Sequence, residues 1–359
     1  MKLLYGITAN GNGHLSRSGR IVRMLRDRGH EVELIISGEP GKSIMDSTDL
    51  LPYRRFDGFS FVNKGGVMSA METLFASKPG RFLKNLLCDM PRGDFDFAVT
   101  DYEPLTAWYA RLRGIQSVGV CHMYAFIYPE VPVPASRWYE KILFRWLAPA
   151  DLMLGTHWYP YHRHVIPPFV PPVDTSNADE HLVLVYLPWE AAESYMEVLK
   201  SIGTHRFIVY GSRTEPVKEG NLEIKPPSRD GFLADLGRCT SVMANAGFAL
   251  ASEAASLGKR LLLKPYSGQV EQEHNALESE RLGLATRAES ITVPVVEAFL
   301  GKQKPSGLSV PDITPVFVSW LETKPRELDD ITYQALWIHT AGIPLTDGCA
   351  PADFYDLHS

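Results

Sequence analysis

The chain has 359 residues, 45% of them hydrophobic and 22% charged, which is enough for two ordinary domains. A net charge of −6 and a sequence pI of about 6.0 exclude the basic face that a nucleic-acid binder needs. Four scattered cysteines form no CxxC pair, and no run reaches the ~18 apolar residues of a membrane span, so reduced thiols and a cytoplasmic chain are the expectation.

In chain order, "KLLYGIT" (2–8) reads as a buried strand, too short for a signal peptide. The glycine-rich stretch "ANGNGH" follows. A helix is predicted over 15–30, with Ile21, Val22 and Leu25 at helical spacing and Gly29 as its stop. Strands are predicted at 31–37, 95–101, 117–122 and 151–157, with helices at 104–114 and 136–148. The stretch 165–181 carries four prolines and then a polar run, which marks it as the linker candidate. The alternation resumes with strands at 181–188, 206–211, 241–247 and 260–265 and helices at 248–258 and 272–283. A last helical pattern lies in 327–342. The expected fold class is α/β: two doubly wound Rossmann-like domains, 1–170 and 171–323, with a helical tail 324–359 that could pack back on the first domain.

Ligands of open parallel sheets bind beyond the carboxyl ends of the strands. At such ends in the first half lie Asn10 to His14, Asp101 with Glu103, His122 and His157. His14 is the sharpest candidate. An imidazole can remove a proton from a hydroxyl near neutral pH, and a carboxylate improves it by fixing its tautomer. Asp101 is the candidate orienter and Glu103 its rival, while Asn12, Glu103 and His122 are candidate acceptor contacts. In the second half, amides near Ala246 and Gly247 open a helix and suit a phosphate. Glu253 suits a vicinal diol, and Gln269, Glu271 and Gln272 suit a polyhydroxylated ring.

Several motifs fail on spacing. "GNGHLS" holds Ser16 where a dinucleotide fingerprint needs its third glycine, and "GEPGKS" (38–43) is too short for a P-loop. "HRH" (162–164) has no zinc-site partner at the right distance along the chain. No metal or resident cofactor is expected. The stretch 136–148 is amphipathic, with Trp138, Ile142, Leu143, Trp146 and basic residues. It reads first as a helix packed on the sheet and second as a contact with a membrane surface, such as the cytoplasmic face of an inner membrane.

Together, "GNGHLSRSGR", "TDYEP" (100–104) and "GFALASEAASLGKRLLLKPYSGQVEQEHNALESERLG" (247–283) resemble glycosyltransferases of the GT-B fold, near the MurG-like and UDP-glycosyltransferase families. The resemblance implies transfer of a hexosyl or N-acetylhexosaminyl group from a nucleotide-diphosphate sugar to an acceptor hydroxyl, without a metal, in glycan or cell-envelope synthesis. It implies that Glu253 binds ribose, Glu271 and Gln272 the donor sugar, amides near Ala246 and Gly247 the diphosphate, and the region of Gly211 and Ser212 the base. His14 would be the general base or an acceptor-positioning group, oriented by Asp101. One departure is "YLPWE" (186–190), which stands where relatives carry a glycine- and serine-rich phosphate loop. UDP, dTDP and GDP sugars all suit this scaffold, and lipid, polysaccharide, protein and small-molecule acceptors are all open. Alternatives on the same fold are a nucleotide-sugar hydrolase of the pseudaminic-pathway type, an epimerase, and a nucleotide-sugar-binding regulator without catalysis.

Overall fold

The structure, a computed structural model, describes residues 1–9, 12–38, 50–58, 63–64, 67–68, 79–132, 138–211, 215–305, 308–338 and 340. Among these described residues, nine strands fall in the first half. They are β1 (Lys2–Thr8), β2 (Glu31–Gly38), β3 (Arg54–Asp57), the short antiparallel pair β4 (Asn63–Lys64) and β5 (Val67–Met68), β6 (Phe97–Asp101), β7 (Ser117–Cys121), β8 (Leu152–Thr156) and β9 (Val165–Ile166). All but β4 and β5 form one seven-stranded parallel sheet in the order β3-β2-β1-β6-β7-β8-β9. Helices cover it: α1 (Asn12–Asp27), α2 (Pro79–Lys84, continued by a π turn over Asn85–Asp89), α3 (Pro104–Arg113), the single turn α4 (His122–Ala125) and α5 (Trp138–Leu147). A parallel sheet covered on both faces buries every strand position, which is why β1, β6 and β7 read as continuous apolar runs.

The second half repeats the plan with β10 (Asp179–Tyr186), β11 (Arg206–Tyr210), β12 (Val217–Glu219), β13 (Leu222–Lys225), β14 (Cys239–Asn245), β15 (Arg260–Lys264) and β16 (Thr286–Arg287). Their order is β12-β13-β11-β10-β14-β15-β16, parallel except at the β12 edge. Its helices are α6 (Glu193–Ser201), α7 (Arg229–Arg238), α8 (Phe248–Ser256), α9 (Val270–Arg281) and α10 (Val293–Leu300). Further on, α11 (Thr314–Leu321) and α12 (Asp330–Trp337) return to the first sheet. Phe317, Val318, Trp320, Leu321 and Leu336 join the core cluster that holds Leu3, Tyr5, Ile21 and Leu25.

Local chemistry sets the element ends. Glu103 caps α3 by accepting the Leu105 and Thr106 N–H groups, Pro104 fills the first helical position, and Gly114 closes the helix at φ +66°. α1 begins at Asn12, three residues before the helix expected from Leu15, and so takes Gly13 and His14 into its first turn. The proline-rich stretch is not a free linker. It opens with edge strand β9, and Phe169 and Val170 are buried.

Candidate active site

The first turn of α1 sets His14 beyond β1, and Asp101 is the last residue of neighbouring β6, in register with Ile7. His14 Nδ1 lies 2.7 Å from Asp101 Oδ1, and the Ser18 hydroxyl donates to Asp101 Oδ2 at 2.6 Å. The Arg17 guanidinium donates to the same carboxylate. The carboxylate is fully buried, whereas a quarter of the His14 side chain is open to solvent. Burial alone would raise the Asp101 pKa. The Arg17 and His14 charges, with the His14 and Ser18 hydrogen bonds, outweigh it and hold the group below the ordinary carboxylate range. Nδ1 thus faces the carboxylate, with Arg17 Nη2 3.2 Å away, and His14 Nε2 has no partner among the described residues.

Arg17 is the residue that sequence reasoning missed. It sits one helical turn after His14, so the i, i+3 spacing could have placed it on the same face. Sequence reading also passed over Cys121. Its thiol lies with His14 and Asp101 in a trio whose ligand atoms fall within 4.8 Å of one another. Burial and the nearby Asp101 charge push that thiol up, so it stays protonated, and Arg17 already neutralises Asp101.

Glu271, in the first turn of α9, faces this group from the second domain. Burial raises its pKa, and the His14 and Arg17 charges oppose the rise. Gln269 stands at the start of the same helix with its side-chain oxygen buried and unpartnered among the described residues. Gln272 is buried too, but its oxygen accepts the Tyr266 N–H at 2.9 Å and so shapes the loop before α9.

At the start of α8 the expected positions, Ala246 and Gly247, are already bonded within the protein. The Ala246 carbonyl accepts from the Asn275 side chain at 2.9 Å, and the Gly247 N–H donates to the Asn245 carbonyl at 2.8 Å. The uncapped start of α8 instead presents the N–H groups of Phe248, Ala249 and Leu250. Glu253 is buried and accepts from Arg229 at 2.8 Å. It borders a small cavity shared with Arg17, Arg20, Phe248 and Ser252. Gly211 follows β11 at φ +93°, and Ser212 lies outside the described residues, as do Asn10 and Gly11. Asn12 is exposed and bonds the Tyr186 hydroxyl of the second domain.

Three expectations are corrected. Glu103 neither orients His14 nor meets an acceptor. It is fully buried, and its oxygens are spent on the α3 cap and on the Ser37 hydroxyl at 2.8 Å. His122 is not an acceptor contact but a joint between domains. Its Nδ1–H donates to the Thr156 carbonyl at 2.7 Å, Nε2 meets the Asn275 side chain at 2.7 Å, and its ring stacks on Phe248 with centroids 3.8 Å apart. His157 is fully buried beside it, accepting the Tyr159 N–H on Nδ1. A polar residue at a strand end can face a cleft or seal a domain contact, and these two seal it.

Comparison with known proteins agrees with this architecture. No curated protein matches the sequence significantly. Among solved structures, the glycotransferase of kitacinnamycin superposes with a TM-score of 0.57 at 13% identity, covering 95% of this chain and 99% of its own. LpCGTa, solved with UDP, gives 0.57 at 16% identity over 93% of this chain and 97% of its own. Arabidopsis thaliana UGT89C1, solved with quercetin, gives 0.56 at 14% identity over 93% and 98%. These likenesses place the fold among GT-B glycosyltransferases. The family model described as glycosyl transferase family 1 matches residues 1–303, and the chain belongs to that family.

Proposed function

We propose that this chain transfers a hexosyl or N-acetylhexosaminyl group from a nucleotide-diphosphate sugar to an acceptor hydroxyl in the cytoplasm, with His14 as general base. The observation that carries the reading is the 2.7 Å pair of His14 Nδ1 and Asp101, which leaves Nε2 free on a partly open ring. Nε2 takes the acceptor proton while the acceptor oxygen forms its bond to the anomeric carbon. The bond from that carbon to the diphosphate breaks, and the nucleoside diphosphate leaves with the electron pair. Asp101 stabilises the imidazolium that results. The uncapped amides of Phe248 to Leu250 and the α8 dipole take up the charge of the departing diphosphate. With those groups in place no divalent ion is needed. Glu271 and the unpartnered Gln269 oxygen suit sugar hydroxyls, and Glu253 suits the ribose diol.

UDP is the first nucleotide to test, because two of the similar structures were solved with it. A thermal-shift screen of UDP, dTDP and GDP should raise the melting temperature with one of them, since a ligand of the native state stabilises it. If none does, the donor site is wrong. With the matching sugar nucleotide, His14→Ala should lower kcat/KM by about 10²–10⁴. A loss of only a few-fold would remove the base from His14. Release of free sugar at an undiminished rate without any acceptor would make water the substrate and the enzyme a hydrolase.

A further inference from the structure

The outer face of one helical layer in the first domain is unusually apolar. Packing fixes the order of the layer: α2 with its π turn, then α3, then α5. Leu86 and Met90 of the π-turn segment pack with Leu105, Tyr109 and Ala110 of α3, and the Tyr109 hydroxyl donates to the Pro91 carbonyl at 2.8 Å. On the other side the Arg111 guanidinium of α3 lies over the Trp146 ring of α5, 5.5 Å from its centroid, and within 6.0 Å of Trp108. α5 buries Phe144 against the sheet. Of the eleven large apolar side chains exposed among the described residues, six stand on this layer: Leu83, Leu87, Leu112, Ile142, Leu143 and Trp146. Leu112 is 61% exposed and Trp146 49%.

Charge on the layer runs against that of the chain. Segments 79–94, 104–114 and 138–148 carry seven Lys and Arg and three Asp and Glu, whereas the whole chain is net −6. Arg111, Arg113 and Arg145 are exposed and make no ion pair among the described residues. Aliphatic side chains, an interfacial tryptophan and surrounding arginines are the composition of a surface that rests at the headgroup level of an anionic bilayer. A second copy of this face would set arginine against arginine, whereas an anionic surface complements the excess of positive charge.

We propose that the α2–α3–α5 face docks this protein on an anionic membrane surface. Trp146, Ile142 and Leu143 enter the boundary between headgroups and acyl chains, and Arg111, Arg113 and Arg145 meet lipid phosphates. α3 starts three residues after Asp101, and Leu112 lies about 12 Å further along it at ~1.5 Å per residue. The contact is therefore on the flank of the domain and leaves His14 and the cleft open. The proposal stands on the exposed face alone and does not rest on the sugar-transfer reading.

The test is co-sedimentation of the full chain with vesicles of phosphatidylcholine alone and of phosphatidylcholine mixed with phosphatidylglycerol. The wild-type chain should pellet with the mixed vesicles at low salt, bind less at high salt, and stay in solution with phosphatidylcholine alone. The pair Ile142→Ser and Trp146→Ser should lower the partition at least about tenfold. The pair Arg113→Glu and Arg145→Glu should lower it by at least about fivefold per residue. All four positions are exposed, so the melting temperature should hold and serve as the folding control. Absence of wild-type binding to the mixed vesicles overturns the proposal, as does equal binding by the variants. So does a concentration-dependent dimer that the serine pair abolishes in the absence of vesicle binding, because a second copy would then cover the face.

Discussion

His14 and Asp101 lie 87 residues apart and meet because β1 and β6 are neighbours. That meeting was legible in the sequence, since both residues end or follow an apolar strand-like run. The role of Arg17 was not, because an arginine in a helix usually reads as a solvated face. Its burial follows from the depth at which α1 sits on the sheet, which no local pattern carries. Contact with both His14 and Arg17 makes Asp101→Asn doubly costly. The asparagine cannot stabilise the imidazolium and leaves the Arg17 charge uncompensated, so kcat should fall by about 10²–10⁴ and stability by about 3–5 kcal/mol. Adding Arg17→Met should recover much of the stability without restoring turnover, and equal stability of the single and double variants would show that Arg17 needs no counter-charge. Glu271 gives a prediction with the opposite sign. Its pKa is raised by burial, so its contribution to stability is full below the unfolded value near 4.3 and is lost as pH rises through the folded value. Glu271→Gln should therefore melt higher than wild type at pH 7 but not at pH 4, while binding the donor sugar more weakly. A variant that melts lower at pH 7 would show that the carboxylate is satisfied in the free enzyme.

At the scale of elements, the alternation of strands and helices was readable because helix-covered parallel strands must be apolar throughout. The sequence reading named no helix at 293–300 or 314–321, where α10 and α11 lie, since both are apolar nearly all round and show no polar face. Part of the glycine-rich stretch serves packing between the domains. Gly13 lies inside α1, and a Cβ there would stand 2.8 Å from the Ala249 Cβ of α8 in the other domain. The absence of a side chain lets two helix starts from different domains come together beside His14. Gly13→Ala should cost about 1–3 kcal/mol by overpacking that contact. Ala249→Gly in the same chain should return part of the loss, giving a favourable coupling energy in the double-mutant cycle. Additive losses would mean that the helices separate freely at this point.

Across the whole molecule, a buried aromatic and histidine cluster joins the two domains, flanked by the Tyr161 hydroxyl that donates to Glu278. His122 stacks on Phe248, the Trp158 indole N–H donates to Ser252 at 2.8 Å, and His274 packs edge-on against Phe126 with centroids 4.6 Å apart. His157 lies between His122 and His274, at 5.6 and 6.1 Å centroid to centroid. Sequence reading placed two of these histidines at strand ends but had no means of pairing them with α8 and α9, because the contact exists only once both domains are folded. Burial drives the His122 pKa down to about 3 and that of His274 to about 4, and it holds His157 well below its ordinary value. The charges facing the cluster are mostly positive. Arg17 and Arg281 add to the depression, and Glu278 opposes it at His274. Unfolded, each imidazole titrates near 6.5, so between about pH 6.5 and pH 4 the unfolded chain binds more protons than the folded one. Stability must then fall as pH drops through that window, and the domain contact is where the strain concentrates. Urea denaturation should show a lower midpoint at pH 5 than at pH 7.5. His157→Phe, which keeps an aromatic ring and removes one titrating group, should shrink the gap between the two midpoints. A gap of unchanged size in that variant, or a wild-type midpoint that rises in acid, would show that the cluster opens to water and takes up its protons without parting the domains.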